Sequence, residues 1–222
     1  MGTVLGLVVP IVTAGYRISQ TKTTDFHQSQ IVSALASYVL ANRRLPAAAL
    51  SSDGRESQIG QGRLSVGFVP YMTLGLPESV AKDGYGRWFT YAVHGGLTRT
   101  VAQAHPRQDE FCEIRNHHIR IKSAETGQDL ANKTGNPVAF VIISHGAEGG
   151  GALLSTGERL RSQGLESTNS DASQDFYEGS APGFGHKVFW VTRDNLMAIY
   201  AKSPCQNFSQ GNDRSQRGEN RL

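Results

Sequence analysis

Two short segments contain the residue types that hydrolytic chemistry uses. His94-Gly95-Gly96 offers the histidine and glycines of an oxyanion loop, and Ser144-His145-Gly146 places a hydroxyl beside an imidazole after an apolar run. A nucleophile elbow needs Gly-x-Ser-x-Gly, which does not occur in this sequence. Because neighbouring residues of a strand point to opposite faces, Ser144 and His145 are not expected to form a nucleophile and base pair. The sequence predicts no catalytic site, and we interpret both segments as strand ends followed by glycine turns.

Three other polar clusters are weak candidates for metal or nucleotide binding. His117 and His118 are adjacent, but no His or carboxylate at ligand spacing completes a set. The stretch from Asp53 to Glu56 has two carboxylates around a glycine but lacks the alternating oxygen ligands of a calcium loop. Gly149–Gly151 are not followed by the Lys-Ser or Lys-Thr of a phosphate-binding loop. We therefore expect no metal and no cofactor.

Composition narrows the function classes further. The net charge is +3, and the 22 Lys and Arg residues occur singly or in pairs, which is not the clustered basic pattern of a nucleic-acid-binding surface. The 25 glycines indicate many turns between short regular elements. The only cysteines, Cys112 and Cys205, lack the spacing of a zinc site. From the residues alone, one disulfide and two buried thiols both remain open.

The first sixteen residues carry no charge and are rich in aliphatic side chains. The residues that form this apolar run are Leu5, Leu7, Val8, Val9, Ile11 and Val12. A membrane-spanning helix needs about 20 apolar residues, and a signal peptide would begin with a basic segment. We interpret the run as the remaining part of a membrane-associated helix whose beginning is absent here. The alternative is a buried strand or helix of the protein core.

Helical periodicity continues after this run. Apolar residues recur at three- and four-residue steps beyond Arg17, at Phe26, Ile31, Val32, Leu35, Tyr38 and Val39. Pro46 disfavours helical geometry at the residue before it. The pattern predicts one helix from about Thr3 to Arg44, about 60 Å long at 1.5 Å per residue, within an N-terminal region that comprises residues 1–45.

The rest of the chain is predicted to be a β-rich globular domain, residues 46–205, followed by a polar mobile tail, residues 206–222. Strand-like patterns occur at 87–94, 114–121, 138–143 and 187–192. Segments 47–67 and 155–174 are rich in turn-forming residues and are predicted to be loops. The expected fold class is α+β, with a long N-terminal helix followed by a small antiparallel sheet.

Four blocks of sequence resemble the prepilin-type proteins, which include the type IV pilins and the type II secretion pseudopilins. They are YVLANRRLP at 38–46, GFVPYMTLGLP at 67–77, DGYGRWFTYAV at 83–93 and VAFVIISHG at 138–146. The resemblance covers residues 5 to 146, and the order of the blocks is more specific than any one block. It implies a pilin-like fold.

Three features depart from the family pattern. The family's leader-peptidase motif has a Glu shortly after the cut, but a cut after Gly2 would place Leu7 there. The subgroup often has a Cys after the Leu-Pro step, whereas Ala47 follows Pro46 here. The similarity fades after Gly151. We expect that the sequence begins inside the helix or that the protein is not processed in the usual way.

The resemblance implies a structural subunit of a bacterial type IV pilus or pseudopilus, without catalysis. Its helix would lie in the inner membrane before assembly and then pack against homologous or identical subunits in an extracellular or periplasmic filament. The apolar run from Leu5 to Val12 would make these contacts. The alternative is a secreted soluble binding module or hydrolase with an apolar N-terminus.

The resemblance also bears on the two cysteines. Pilin-like proteins often join the C-terminal part of the sheet domain with a disulfide, and a filament body folds where thiols oxidise. This implies a Cys112–Cys205 bond. Two separate buried thiols remain the competing interpretation.

Overall fold

The computed structural model describes residues 3–57, 64–99, 114, 118–131, 136–171 and 173–199, with side chains from residue 15 onward. Its helices are α1 Thr3–Asn42, α2 Gly164–Ser170 and α3 Arg193–Ala198. Its strands are β1 Ser65–Phe68, β2 Thr90–Val93, β3 Arg120–Ser123, β4 Val138–Ser144, β5 Asp175–Glu178 and β6 Lys187–Thr192. Short 3₁₀ turns occupy Glu78–Ala81 and Gly95–Thr98.

The strands form two sheets. The larger one has the order β1-β2-β4-β6, and every neighbouring pair is antiparallel. This arrangement, after one long helix, confirms the predicted α+β class. The smaller sheet pairs β3 with β5 in parallel, which the sequence patterns did not predict. A parallel pair needs a long crossover, and here the crossover contains β4 and α2.

Strand β4 is the centre of the core because it is buried on both faces. All seven of its residues are buried, as the continuous apolar run from Val138 predicts. Phe140 and Ile142 pack on the α1 side, whereas Val141 and Ile143 pack towards β3 and β5. An irregular register between Val138 and Phe140 turns Val138 to the same side as Val141.

Helix α1 covers one face of the larger sheet with its C-terminal half. Ile31, Leu35 and Val39 are buried there with Phe68, Tyr91 and Phe140 of the strands. Ile31, Leu35 and Val39 are four residues apart, so they form one stripe on the helix. Phe26, which belongs to the same sequence pattern, is instead exposed. The sequence pattern therefore predicts the helix correctly but overstates the width of its packed face.

The predicted boundaries were only partly correct. Predicted strand 87–94 shortens to Thr90–Val93, and predicted strand 114–121 overlaps β3 only at residues 120–121. Predicted strands 138–143 and 187–192 match β4 and β6 closely. Both predicted loops were partly wrong. Segment 47–67 contains the start of β1, and 155–174 contains α2. Their sequences are rich in Gly and Ser, so tertiary pairing and packing override weak local propensity there.

Helix α1 ends two residues earlier than predicted. Its last residue is Asn42 rather than Arg44. Arg43 follows with a φ of 55°, the left-handed conformation that commonly terminates helices, and its N–H still donates to the carbonyl of Val39 at 2.7 Å. The helix therefore ends before Pro46, the residue on which the predicted helix end was based.

Candidate functional site

The described part of α1 nearest its N-terminus lies outside the globular body. Gly15 to Ser19 are exposed, with Tyr16 67% and Ile18 57% accessible. The first fully buried helical side chain is Thr24. When exposed large apolar side chains form a continuous face on a helix, they indicate a surface that another molecule covers.

A tight turn from Lys82 to Arg87 joins α1 to the body. The N–H of Gly84 donates to Oγ1 of Thr24 at 3.0 Å, and Nδ1 of His27 donates to the carbonyl of Lys82 at 2.6 Å. A Cβ atom on Gly84 would lie 1.9 Å from the carbonyl oxygen of Gln20. Only glycine therefore permits this approach of turn to helix.

Asp83 fixes the same turn from inside the body. Its Oδ1 accepts the N–H groups of Tyr85 at 2.9 Å and Arg87 at 3.0 Å, and its Oδ2 accepts the hydroxyl of Ser144 at 2.6 Å. Both Asp83 and Ser144 are buried. The serine that a hydrolase would use as its nucleophile thus donates to a structural carboxylate.

A second joint holds the C-terminal end of α1. Arg44 makes two 2.7 Å hydrogen bonds to the two carboxylate oxygens of Glu56, and the hydroxyl of Tyr38 donates to the same carboxylate. Burial alone would raise the pKa of Glu56, but the hydrogen bonds and charge of Arg44 outweigh it and lower that pKa. Bidentate pairing of this kind fixes geometry as well as charge.

Two histidines form the centre of a buried polar cluster at the end of β4. Nδ1 of His145 lies 2.9 Å, and Nε2 of His186 2.8 Å, from the carbonyl oxygen of Gly150. Nε2 of His145 lies 2.8 Å from Oγ1 of Thr90. The two rings are perpendicular, with centroids 4.6 Å apart. The cluster therefore connects β2, β4, β6 and the loop after β4.

Residues of the following loop and of α2 complete this cluster. Nη1 of Arg159 donates to Oγ1 of Thr90 and to the carbonyl of Gly151. Nδ2 of Asn169 lies 3.4 Å from Nδ1 of His186. Oε1 of Glu166 lies 3.9 Å from Nε2 of His186. Sequence reasoning missed His186 and its partners, since they are far apart in the chain and share no motif.

Burial changes the acid–base behaviour of both histidines. Burial, with a smaller contribution from the neighbouring His186, lowers the pKa of His145 to about 3. Burial also lowers the pKa of His186. Both rings are therefore neutral at physiological pH.

The arrangement brings Ser144 and His145 to different partners, as the strand geometry predicts. The hydroxyl of Ser144 donates to Asp83, whereas His145 contacts Thr90 and Gly150.

Within the described ranges, no group of three or more His, Cys, Asp or Glu side chains could hold a metal ion.

The other histidine candidates lie elsewhere. The His94 ring stacks on that of His118, with centroids 4.5 Å apart, and Nδ1 of His94 accepts the N–H of Gly96 at 3.2 Å. An oxyanion loop would offer this N–H to a substrate oxygen, but here the N–H donates to the His94 side chain. His117 lies outside the described residues.

Two sets of predicted residues cannot be placed. The side chains of Leu5, Leu7, Val8, Val9, Ile11 and Val12 lie outside those that the structure describes, although these residues belong to α1. Cys112 and Cys205 also lie outside the described residues, so their disulfide stays a prediction. Among the side chains that are described, no helical stretch reaches the length and hydropathy that a membrane crossing requires.

Comparisons of the chain with protein-family models, with curated proteins and with solved structures returned no match.

Proposed function

We propose that this chain is a pilin-like structural subunit of a bacterial type IV pilus or pseudopilus, which assembles through its N-terminal helix. One observation carries the proposal: α1 has 40 residues, and of its side chains described from Gly15 onward the body fully buries only those from Thr24 on, along one stripe. A helix of this length exceeds what the small sheet can cover.

The N-terminal part of the helix suits side-by-side packing with other helices. Ahead of the exposed Gly15–Ser19 segment, residues 3–14 are uncharged and mostly apolar, and add about 18 Å of helix at 1.5 Å per residue. An apolar helix surface of this kind needs lipid or protein to cover it. Repeated head-to-tail contacts that do not close into a ring produce a filament.

Besides the buried stripe of α1, two polar joints attach the body to its helix. The turn at Gly84 contacts Gln20, Thr24 and His27, and Arg44 binds Glu56 at the helix end. Two joints resist rotation of the body about the helix better than one. This favours a subunit whose helix lies in a filament core while the body forms the outer surface.

The proposal includes partners and a cellular route. Before assembly the helix lies in the inner membrane, and afterwards it contacts identical or related subunits in an extracellular or periplasmic filament. No enzymatic reaction, cofactor or nucleic acid is involved. The engagement of Ser144 by Asp83 is consistent with a structural role for the body.

Electron microscopy of the expressed chain tests the proposal. We expect filaments, or membrane anchoring, for the wild-type chain and for Thr156→Asp, which adds the same charge at an exposed loop position of the body. Val9→Asp and Ile11→Asp should abolish both, because a carboxylate cannot be buried unpaired between apolar helices. The body should stay folded, as monitored by thermal unfolding.

Two outcomes contradict this function. If Val9→Asp assembles like the wild type, the apolar run makes no assembly contact. If Val9→Asp unfolds the body, the run belongs to the protein core. A wild-type chain that stays monomeric without detergent would instead favour the alternative, a secreted binding module or hydrolase.

A further inference from the structure

The proposed assembly makes no use of the buried pair His145 and His186. Both rings point their nitrogens at one acceptor, the carbonyl oxygen of Gly150. The two nitrogens also lie 3.3 Å from each other, but both are closer to this oxygen. Because a carbonyl only accepts hydrogen bonds, we assign hydrogen to both Nδ1 of His145 and Nε2 of His186. The two rings therefore hold one backbone oxygen by two donors.

The remaining ring nitrogens are also engaged. With hydrogen on Nδ1, Nε2 of neutral His145 accepts the hydroxyl of Thr90 at 2.8 Å. Nδ1 of His186 faces the amide nitrogen of Asn169 at 3.4 Å, a donor. Each ring thus sits with one donor and one acceptor nitrogen, which is the bonding pattern of the neutral imidazole alone.

Protonation would disrupt this pattern at both rings. A hydrogen on Nε2 of His145 would remove the acceptor of the Thr90 hydroxyl, which would have to turn and accept from both His145 and Arg159. A hydrogen on Nδ1 of His186 would face the Asn169 amide donor. Two positive rings 4.6 Å apart would also repel each other.

The surrounding charges are mostly unfavourable to a positive ring. Arg159 from the loop and Arg87 from the segment before β2 both lower the pKa of His145. From α2, Glu166 favours the charged form of His186, at 3.9 Å. Asp171, after α2, acts on Arg159 instead. The negative charge of Glu166 does not balance the positive charges of two protonated rings and two guanidinium groups.

The carbonyl that the rings hold begins a loop that folds back on itself. After Gly150, the N–H of Gly151 donates to Leu160, and Leu160 donates back to Ala152. Arg159 ties the same hairpin to β2 through Thr90. Loss of the histidine contacts would therefore loosen the hairpin, residues 150–160, at its first residue, whereas the buried Leu153 and the hydrogen bonds of Ser155 would still hold its far end.

We propose that His145 and His186 form an acid-sensitive latch, which holds Gly150 at the start of the hairpin 150–160 when neutral and releases it when protonated. The direction follows from linkage. A histidine that becomes solvated in the open state has a pKa near 6.5, whereas the pKa of His145 in the closed state is about 3. Between pH 3 and pH 6.5 the open state therefore binds more protons than the closed state. The latch is stable above pH 6.5 and weakens as the pH falls below that value.

Hydrogen exchange of the full chain between pH 7.5 and 4.5 tests the latch. After correction for the intrinsic pH dependence of exchange, we expect opening of peptides within 150–160 to increase well below pH 6.5. The increase should be about tenfold per pH unit if one ring takes up a proton on opening and about a hundredfold if both do. Peptides of β2 and β4 should keep their protection longer, because they lie in the core.

Non-titrating variants provide the control. In His145→Asn the amide nitrogen takes the place of Nδ1, and in His186→Gln it takes the place of Nε2, so both keep a donor to Gly150. The double variant should lose the pH dependence in the hairpin. His118→Gln, which removes a histidine outside the cluster, should keep it.

Two results would overturn the latch. One is hairpin exchange in the wild type that shows no extra opening on acidification, and the other is a double variant that retains the full response. Titration of ¹⁵N-histidine-labelled wild type by NMR tests the proposal independently, and it does so even if the double variant fails to fold. We expect hydrogen on Nδ1 of His145 and on Nε2 of His186 at pH 6.5, and the opposite tautomer on either ring refutes the proposal.

Discussion

The hydroxyl of Ser144 donates a 2.6 Å hydrogen bond to Asp83, 61 positions earlier in the chain. Ser144 is 1% and Asp83 3% accessible. The bond joins the last residue of β4 to the turn that contacts α1. It therefore connects the centre of the sheet to the helix joint.

Removal of this hydroxyl should destabilise the body. In Ser144→Ala a buried carboxylate oxygen of Asp83 loses its donor, which we expect to cost about 1.5–3 kcal/mol of the free energy of unfolding. Urea denaturation measures this cost. Ser29→Ala, which removes an exposed hydroxyl on α1, should change stability far less.

The same variant tests the absence of catalysis. Ser144 and His145 bind different partners. We therefore expect the wild type to have no esterase or protease activity that depends on the Ser144 hydroxyl. Activity lost in Ser144→Ala but kept in Ser29→Ala would show that the chain is an enzyme.

Gly84→Ala should weaken the joint between turn and helix. The new Cβ would lie 1.9 Å from the carbonyl oxygen of Gln20, so turn or helix must move, at a cost of about 1–3 kcal/mol as in overpacked cores. Exchange of the amides near Gln20 and the unfolding free energy both report it. Gly15→Ala is the matched control, since nothing lies within 4 Å of its Cβ, and should stabilise α1 by about 0.5–1 kcal/mol. Equal effects of the two substitutions would contradict the close approach.

Arg43→Gly should stabilise the protein modestly. Arg43 has a φ of 55°, which is unfavourable for a residue with a Cβ by about 1–2 kcal/mol. Glycine removes that strain but loses more backbone entropy on folding, so we expect a net gain of up to about 1 kcal/mol in thermal or urea unfolding. The neighbouring Arg44→Gly should instead destabilise, because it leaves Glu56 without its bidentate partner. Destabilisation by Arg43→Gly would indicate that its side chain makes a contact that outweighs the strain.

Cys112 and Cys205 should form a disulfide in protein purified from the periplasm or from filaments. The loop that this bond closes is long, and the chain-entropy model gives about 4–5 kcal/mol as an upper figure for such a loop. Non-reducing peptide mapping should identify the cross-linked pair. Two thiols that react with an alkylating reagent in the native protein would exclude the bond.

Local sequence patterns determined the long helix and the central strand. Ile31, Leu35 and Val39 repeat at the helical period, and the unbroken run from Val138 has the composition of a strand buried on both faces. The separation of Ser144 from His145 also followed from strand geometry. These properties depend on residues that are close in the chain.

Tertiary structure alone decided which distant residues meet. His145 and His186 share the carbonyl of Gly150, and Ser144 reaches Asp83, although no spacing in the sequence relates them. The parallel pairing of β3 with β5 is equally invisible in the sequence, because strand periodicity is the same for both directions. Local propensity fixes the periodicity of an element, whereas the direction of pairing and the partners of a buried polar group depend on how the elements pack.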